Sequence, residues 1–242
     1  MVTLVLVHGA WGGGWCWRKA ATLLREKGLE VYAPTLTGLA ERRHMPLETV
    51  DLSTHVREIV ELLQFENIHD AFLVGHSYAG MIISAVADQQ PARVKGLIYF
   101  DAFVPEHGQS LFDIAPPQVA QLQMAKAQAF DGGISVPEPS TPRTPPGPGV
   151  DGYAPYTPHP IKTMQEKWIS VSGKTVWPPR HFILCTANKS SSFQHIAARV
   201  KGNPDWTYSE IDAFHDVIYA QPDVTATAIH DALSDMRFTR RV

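Results

Sequence analysis

The stretch Leu73-Val74-Gly75-His76-Ser77-Tyr78-Ala79-Gly80 constrains the fold of this chain more than any other. It leaves an apolar run over residues 71–74 with the length and composition of a buried strand. It enters Met81-Ile82-Ile83-Ser84-Ala85-Val86-Ala87, which reads as a helix. A strand turning sharply into a helix, with G-x-S-x-G at the corner, lifts a serine hydroxyl to the end of a sheet above a helix N-terminus. The turn strains the serine backbone, and larger side chains at 75 and 79–80 would crowd the neighbouring strand and helix, so glycine and alanine stand there. G-x-S-x-G by itself recurs by chance in plain tight turns. Between a strand and a helix it marks Ser77 as a candidate nucleophile.

A chain of 242 residues accommodates one large α/β domain or two small ones. The net charge of −3 gives no field that favours nucleic acid or an anionic membrane, and no apolar run approaches the roughly 20 residues that span a bilayer. Met1-Val2-Thr3-Leu4-Val5-Leu6-Val7 has no basic segment and no cleavage site, so it reads as a strand and not as a signal peptide. The cytoplasm is the expected compartment. Cys16 and Cys185 belong to different elements and are expected to pack as small apolar residues rather than pair. No repeat and no metal-ligand cluster is visible, and neither a metal nor a cofactor is expected.

Residues 2–7 form a continuous β-branched and leucine run, as in a strand buried on both faces. His8-Gly9-Ala10-Trp11-Gly12-Gly13-Gly14 follows. Neither G-x-G-x-x-G nor G-x-x-x-x-G-K-[ST] fits it, which argues against a phosphate loop. An H-G loop after a first strand, upstream of the Ser77 corner, reads instead as one side of an oxyanion hole. The N–H groups of Ala10 and Tyr78 are the candidate donors. Further elements are expected as helix 17–27 closing at Gly28, strand 29–34, helix 51–64 capped by Asp51 or Thr49, strand 94–100 ending at Asp101, strand 180–186, helix 192–200, strand 206–211 and a helix from Pro222 through Leu233. Arg42 and Arg43 read as a structural or solvated cluster. Fourteen of the 19 prolines lie between Pro105 and Pro179, which excludes sheet there. That segment reads as an inserted cap over residues 105–179, with helices at 118–129 and 163–170. The core is then 1–104 and 180–242, one α/β domain with a mostly parallel sheet and helices on both faces. Phe130, Tyr153, Tyr156 and Trp168 favour a packed cap over a disordered linker.

A serine hydroxyl needs a base, expected as a histidine on a loop after the last strand. His215, in Asp212-Ala213-Phe214-His215-Asp216, stands there. His76 reads as buried packing and His8 as support for its loop. With these motifs, and with Pro34-Thr35-Leu36-Thr37-Gly38 and Asp101-Ala102-Phe103-Val104-Pro105, the chain resembles the α/β-hydrolase superfamily. More narrowly, it is similar to the branch of plant methylesterases, hydroxynitrile lyases and bacterial pyrethroid-hydrolase-type carboxylesterases. The resemblance implies Ser77 as nucleophile, His215 as base, and Ala10 and Tyr78 as oxyanion donors. The sequence departs from the family at the acid. Thr186-Ala187-Asn188-Lys189 stands where the family carries an aspartate. Three candidates follow: Asp101 at the end of the earlier strand, Asn188 as a neutral substitute, and Asp212 or Asp216, which lie awkwardly close to His215 in sequence.

Lyases of this branch resemble the hydrolases but carry a lysine after the histidine and a threonine after the first-strand histidine. Here Asp216 and Gly9 occupy those places. The expectation is therefore a serine hydrolase that cleaves a hydrophobic carboxylic ester through an acyl-enzyme. Trp11, Phe103 and Phe214 are the candidate substrate contacts, and a homodimer is compatible with the chain. Two alternatives stand beside it: a slow or non-catalytic small-molecule receptor on the same fold, and a cofactor-free lyase or lactonase.

Overall fold

The computed structural model describes residues 1–139, 156–171, 173, 177–187 and 192–238. A six-stranded sheet runs through the molecule in the order β2-β1-β3-β4-β7-β8, every pairing parallel. Its strands are β1 (Thr3–Val7), β2 (Glu30–Tyr32), β3 (Ala71–His76), β4 (Val94–Phe100), β7 (Arg180–Cys185) and β8 (Trp206–Ile211). Between β4 and β7 the short strands β5 (Ser135–Val136) and β6 (His159–Pro160) pair antiparallel, so the proline-rich segment holds a two-residue ladder where no sheet was expected, with Pro160 at the end of its strand. The helices are α1 (Arg18–Glu26), α2 (Leu52–Phe65), α3 (Ala79–Gln89), α4 (Leu111–Ile114), α5 (Pro117–Asp131), α6 (Lys162–Gln165), α7 (Gln194–Val200), α8 (Val217–Ala220) and α9 (Pro222–Phe238).

The unbroken apolar run of β1 follows from its place in the middle of the sheet. Leu4 and Leu6 enter a core shared with α1 and α9, while Val5 and Val7 enter the opposite core, shared with α2 and α3. Alternate residues face opposite sides of a strand, so a strand covered on both faces has no polar position. The expected helices at 17–27 and 51–64 are present. The first closes at Gly28, whose φ of +80° suits glycine. The second opens at Asp51, whose carboxylate accepts the Thr54 N–H at 2.8 Å.

The helix expected at 163–170 is shorter, Lys162–Gln165. Tertiary contacts end it. The Glu166 carboxylate accepts the backbone N–H and hydroxyl of Ser53, and the Trp168 N–H donates to the Gln109 carbonyl. These draw the chain into an extended path that local propensity does not reveal. Cys16 and Cys185 are both free and buried, as expected. Arg42 pairs with Glu58 and donates to the Thr35 carbonyl, the structural role expected of it. Among the described residues no helix is long and apolar enough to cross a membrane, and no group of histidine, cysteine and carboxylate side chains is arranged to hold a metal ion.

The sheet order sets where a site can form. From β1 the chain moves outward to β2 and then returns across β1 to β3. The crevice at the C-terminal ends of β1 and β3 is therefore a topological switch point, the usual place for a ligand in an open parallel sheet. The H-G loop after β1 and the Ser77 turn after β3 meet there.

Candidate active site

Ser77 sits between β3 and α3 with φ at +56°, a left-handed conformation that a serine adopts only under constraint. The constraint is close packing. A Cβ on Gly80 would lie 1.9 Å from the Phe103 carbonyl oxygen, and one on Gly9 would lie 3.0 Å from the Ser77 Cβ. The Phe103 N–H donates to the Ser77 carbonyl at 3.0 Å, which locks the turn to the loop after β4. Among the described residues Ser77 Oγ makes no hydrogen bond with the protein, and its side chain faces open cavity.

His215 lies 7% exposed on the loop after β8, and its Nδ1–H donates to Asp101 Oδ2 at 2.6 Å. Asp101 follows β4 at a φ of +44°, and it is 1% exposed. Its own N–H continues the ladder to the Ile183 carbonyl, and its Oδ1 accepts the Cys185 N–H at 3.2 Å. Burial pushes this carboxyl up to about 7, while the Cys185 N–H and His76 oppose the shift. Among the described residues, Asp101 is the acid candidate bonded to His215. Asp212 is exposed, Asp216 is buried with its Oδ2 unbonded among the described residues, and Asn188 lies outside them.

Two features hold the His215 ring that the sequence alone did not reveal. Phe193 stacks on it, with centroids 5.0 Å apart and planes 13° apart. His76 Nε2–H donates to the His215 carbonyl at 2.9 Å, so the histidine inside the Ser77 turn positions His215 and does more than fill space. His8 has the loop-supporting role expected of it. Its Nδ1–H donates to the Gly9 carbonyl and its Nε2 accepts the Leu36 N–H, and burial lowers its pKa to about 4.

The loop bearing Ala10 is tied to the segment between β4 and β7. The Trp11 N–H donates to His159 Nδ1 at 3.3 Å, Trp11 Nε1–H to the Val136 carbonyl at 3.1 Å, and the Thr157 N–H to the Trp11 carbonyl. His159 in turn bonds Thr163 through Nε2. The buried Tyr78 hydroxyl donates to His55 Nδ1 at 3.0 Å, and His55 Nε2–H donates to the Thr37 carbonyl. Both candidate oxyanion donors thus stand next to, or on, residues fixed by buried neutral histidines. Burial lowers His55 to about 4 and drives His159 well below the ordinary range.

Ser77 and His215 line two cavities. One, of about 230 Å³, is walled by Trp11, Phe103, Leu111, Phe112, Met164 and Phe193. The other, of about 30 Å³, is lined by Gly9, Ala10, His76, Asp216 and Tyr219 among others. Trp11 and Phe103 therefore stand where substrate contacts were expected. Phe214 does not: it is 43% exposed and lines neither cavity. Its neighbours Ala213 and His215 take the inward positions of that loop and turn it toward solvent. Trp17 is fully buried packing, against Phe100 and His76.

Residues 4–228 match the alpha/beta hydrolase family. A carbendazim hydrolyzing esterase of Nocardioides sp. (strain SG-4G) is 35% identical over 235 residues, covering 93% of this chain and 97% of that protein. A pyrethroid hydrolase of Sphingobium wenxiniae is 34% identical over 105 residues, 43% of this chain and 37% of that protein. Among solved structures, an extracellular alpha/beta-hydrolase from a Paenibacillus species superposes with a TM-score of 0.82 at 23% identity, covering 96% of this chain and 99% of that one. The fold, the match along nearly the whole chain and the esterase relative agree with the branch read from the motifs: this chain belongs to the alpha/beta hydrolase family and is an enzyme of the carboxylesterase type.

Proposed function

We propose that the protein is a serine hydrolase that cleaves a hydrophobic carboxylic ester through an acyl-enzyme. The observation that carries this reading is the convergence of the strained Ser77 turn and the Asp101–His215 pair on one largely apolar cavity. In this reading His215 Nε2 takes the Ser77 proton as Oγ attacks the ester carbonyl. Nε2 is competent as a base because Asp101 holds the other proton on Nδ1. The tetrahedral oxyanion is held by the N–H groups of Ala10 and Tyr78, each worth on the order of 3 kcal/mol. His215 then protonates the leaving alcohol, and water repeats the cycle to free the acid. The Ser77–His215 contact closes when substrate fills the cavity, as is common at such sites.

The 230 Å³ cavity suits a bulky, neutral, hydrophobic acyl or aryl group. Relatives named for carbendazim and pyrethroid hydrolysis support the same class. The described residues between β4 and β7 serve as its cap: Leu111, Phe112, Val119 and Met164 supply much of the wall. The receptor alternative drew on the missing aspartate at position 188, and the Asp101–His215 bond favours turnover instead. The lyase alternative needs a buried cation, and among the described residues no lysine or arginine lines either cavity.

The test is hydrolysis of a panel of p-nitrophenyl and bulky aryl esters by wild type and Ser77→Ala. Turnover by wild type that is lost in Ser77→Ala supports the reading. A wild type that binds these esters without cleaving them returns the receptor alternative.

A further inference from the structure

We propose that His159 is a positioning residue for the oxyanion hole, which it shapes by fixing the peptide bond that follows Ala10; the inference rests on the serine-ester reading above. Trp11 has a φ of +65°, a left-handed conformation that a tryptophan adopts only when its surroundings hold it there. Hydrogen bonds from the segment between β4 and β7 hold it. The Thr157 N–H donates to the Trp11 carbonyl at 3.0 Å, Trp11 Nε1–H donates to the Val136 carbonyl at 3.1 Å, and the Trp11 N–H donates to His159 Nδ1 at 3.3 Å. The last of these acts on the peptide that Trp11 shares with Ala10. Fixing that peptide limits rotation about the Ala10 backbone and so sets the direction of the Ala10 N–H.

The ring is held in the form this role needs. His159 is fully buried and neutral, so it carries one N–H. The Thr163 hydroxyl donates its hydrogen to the Pro160 carbonyl at 2.7 Å, and it therefore accepts from His159 Nε2, also at 2.7 Å. That puts the ring proton on Nε2 and leaves the Nδ1 lone pair for the Trp11 N–H. The same ring packs edge-on against Tyr78, with centroids 5.0 Å apart and planes 73° apart. One side chain thus touches Tyr78, one proposed donor, and Trp11, the neighbour of the other. His159 lines neither of the two cavities at Ser77, so it acts on the reaction through Trp11 and Tyr78 and not through substrate. Without the Nδ1 acceptor the peptide after Ala10 is free to turn. The hole then weakens where charge develops, and binding of the ground-state ester is left alone.

Two amide replacements separate the two ring nitrogens. Asparagine puts its side-chain oxygen near the place of Nδ1, and glutamine puts its amide near the place of Nε2. His159→Asn therefore keeps an acceptor for the Trp11 N–H, while His159→Gln keeps only the donor to Thr163. The experiment is steady-state hydrolysis of p-nitrophenyl acetate and of a p-nitrophenyl ester with a bulky aryl acyl group by wild type and both variants. Rates are taken per mole of Ser77 titrated to completion with a fluorophosphonate, so an unfolded fraction does not count. Acylation and deacylation both pass through an oxyanion, so both slow together and KM holds. We expect His159→Gln to lower kcat about thirtyfold for both esters with KM within about twofold, and His159→Asn to stay within about threefold of wild type. An aryl trifluoromethyl ketone, which Ser77 converts to a tetrahedral oxyanion, should bind His159→Gln about thirtyfold more weakly. A His159→Gln kcat within about threefold of wild type, or equal losses in both variants, overturns the proposal. So does a loss that appears in KM or grows with acyl size, because that marks a packing role in the cavity wall. A wild type that neither takes the label nor turns over is a different result: it rejects the serine-ester reading and this proposal with it.

Discussion

Replacing Asp101 with asparagine tests the least predictable part of the site, and its outcome can be worked out from the contacts. Asp101 uses both oxygens: Oδ2 accepts the His215 Nδ1–H at 2.6 Å and Oδ1 accepts the Cys185 N–H at 3.2 Å. An asparagine has one acceptor for these two donors. If its oxygen stays on the Cys185 N–H, its NH₂ faces Nδ1 and forces the other histidine tautomer, with the proton on Nε2. His215 then cannot take the Ser77 proton. If the amide flips, two donors meet at Cys185, in a site buried enough to make that contact costly. Either way kcat for an activated ester should fall by about 10⁴, or about 5 kcal/mol of transition-state stabilisation. The fold should survive, because asparagine has the same shape and avoids burying a charge. The pH profile gives a second check on the wild type. Burial raises this carboxyl to about 7, and only the ionised form accepts from Nδ1. Activity should therefore be present above about pH 7 and fall as the pH drops through it. A kcat for Asp101→Asn within tenfold of wild type, with normal circular dichroism, would refute the assignment and turn attention to Asn188→Ala.

Two further outcomes follow from the same framework. His8 and His55 are buried and neutral, each with a folded pKa near 4 against 6.5 unfolded. The unfolded chain binds the extra protons, so the stability they contribute is complete above about 6.5 and is lost as the pH falls toward 4, by about 3 kcal/mol per histidine. Urea midpoints across that interval, compared with those of His8→Asn, check the slope. Gly80→Ala places a methyl group 1.9 Å from the Phe103 carbonyl oxygen, which must move and take the Ser77 carbonyl contact with it. A loss of stability of about 2 kcal/mol or more, accompanied by loss of activity, is expected in thermal melts and ester assays.

What could be read from the sequence was what local chemistry encodes. The Ser77 turn needs small residues at fixed offsets, and strands covered on both faces need unbroken apolar runs, so β1, β3 and the corner were legible from single stretches. His215 was legible because it follows the last strand. Asp101 stood first among the acid candidates from its place at the end of a strand, but its bond to His215 was not legible, because the two are 114 residues apart and only the β4-β7-β8 pairing brings them together. The stacking of Phe193, the His76 bond and the His159 link to Trp11 are likewise long-range and leave no local pattern. Phe214 shows the opposite error. An aromatic beside His215 invites a role in binding, yet alternation through Ala213, Phe214 and His215 turns it outward. Between β4 and β7, contacts from Ser53 and Gln109 shortened a helix that propensity extended. Tyr153 lies outside the described residues.

The most direct measurement is the mass of the intact protein after exposure to a fluorophosphonate, followed by peptide mapping. The account predicts one adduct per chain, on Ser77, formed quickly in wild type and absent in Ser77→Ala. An unlabelled wild type, or label on another residue, would contradict the claim that the strained serine between β3 and α3 is the nucleophile.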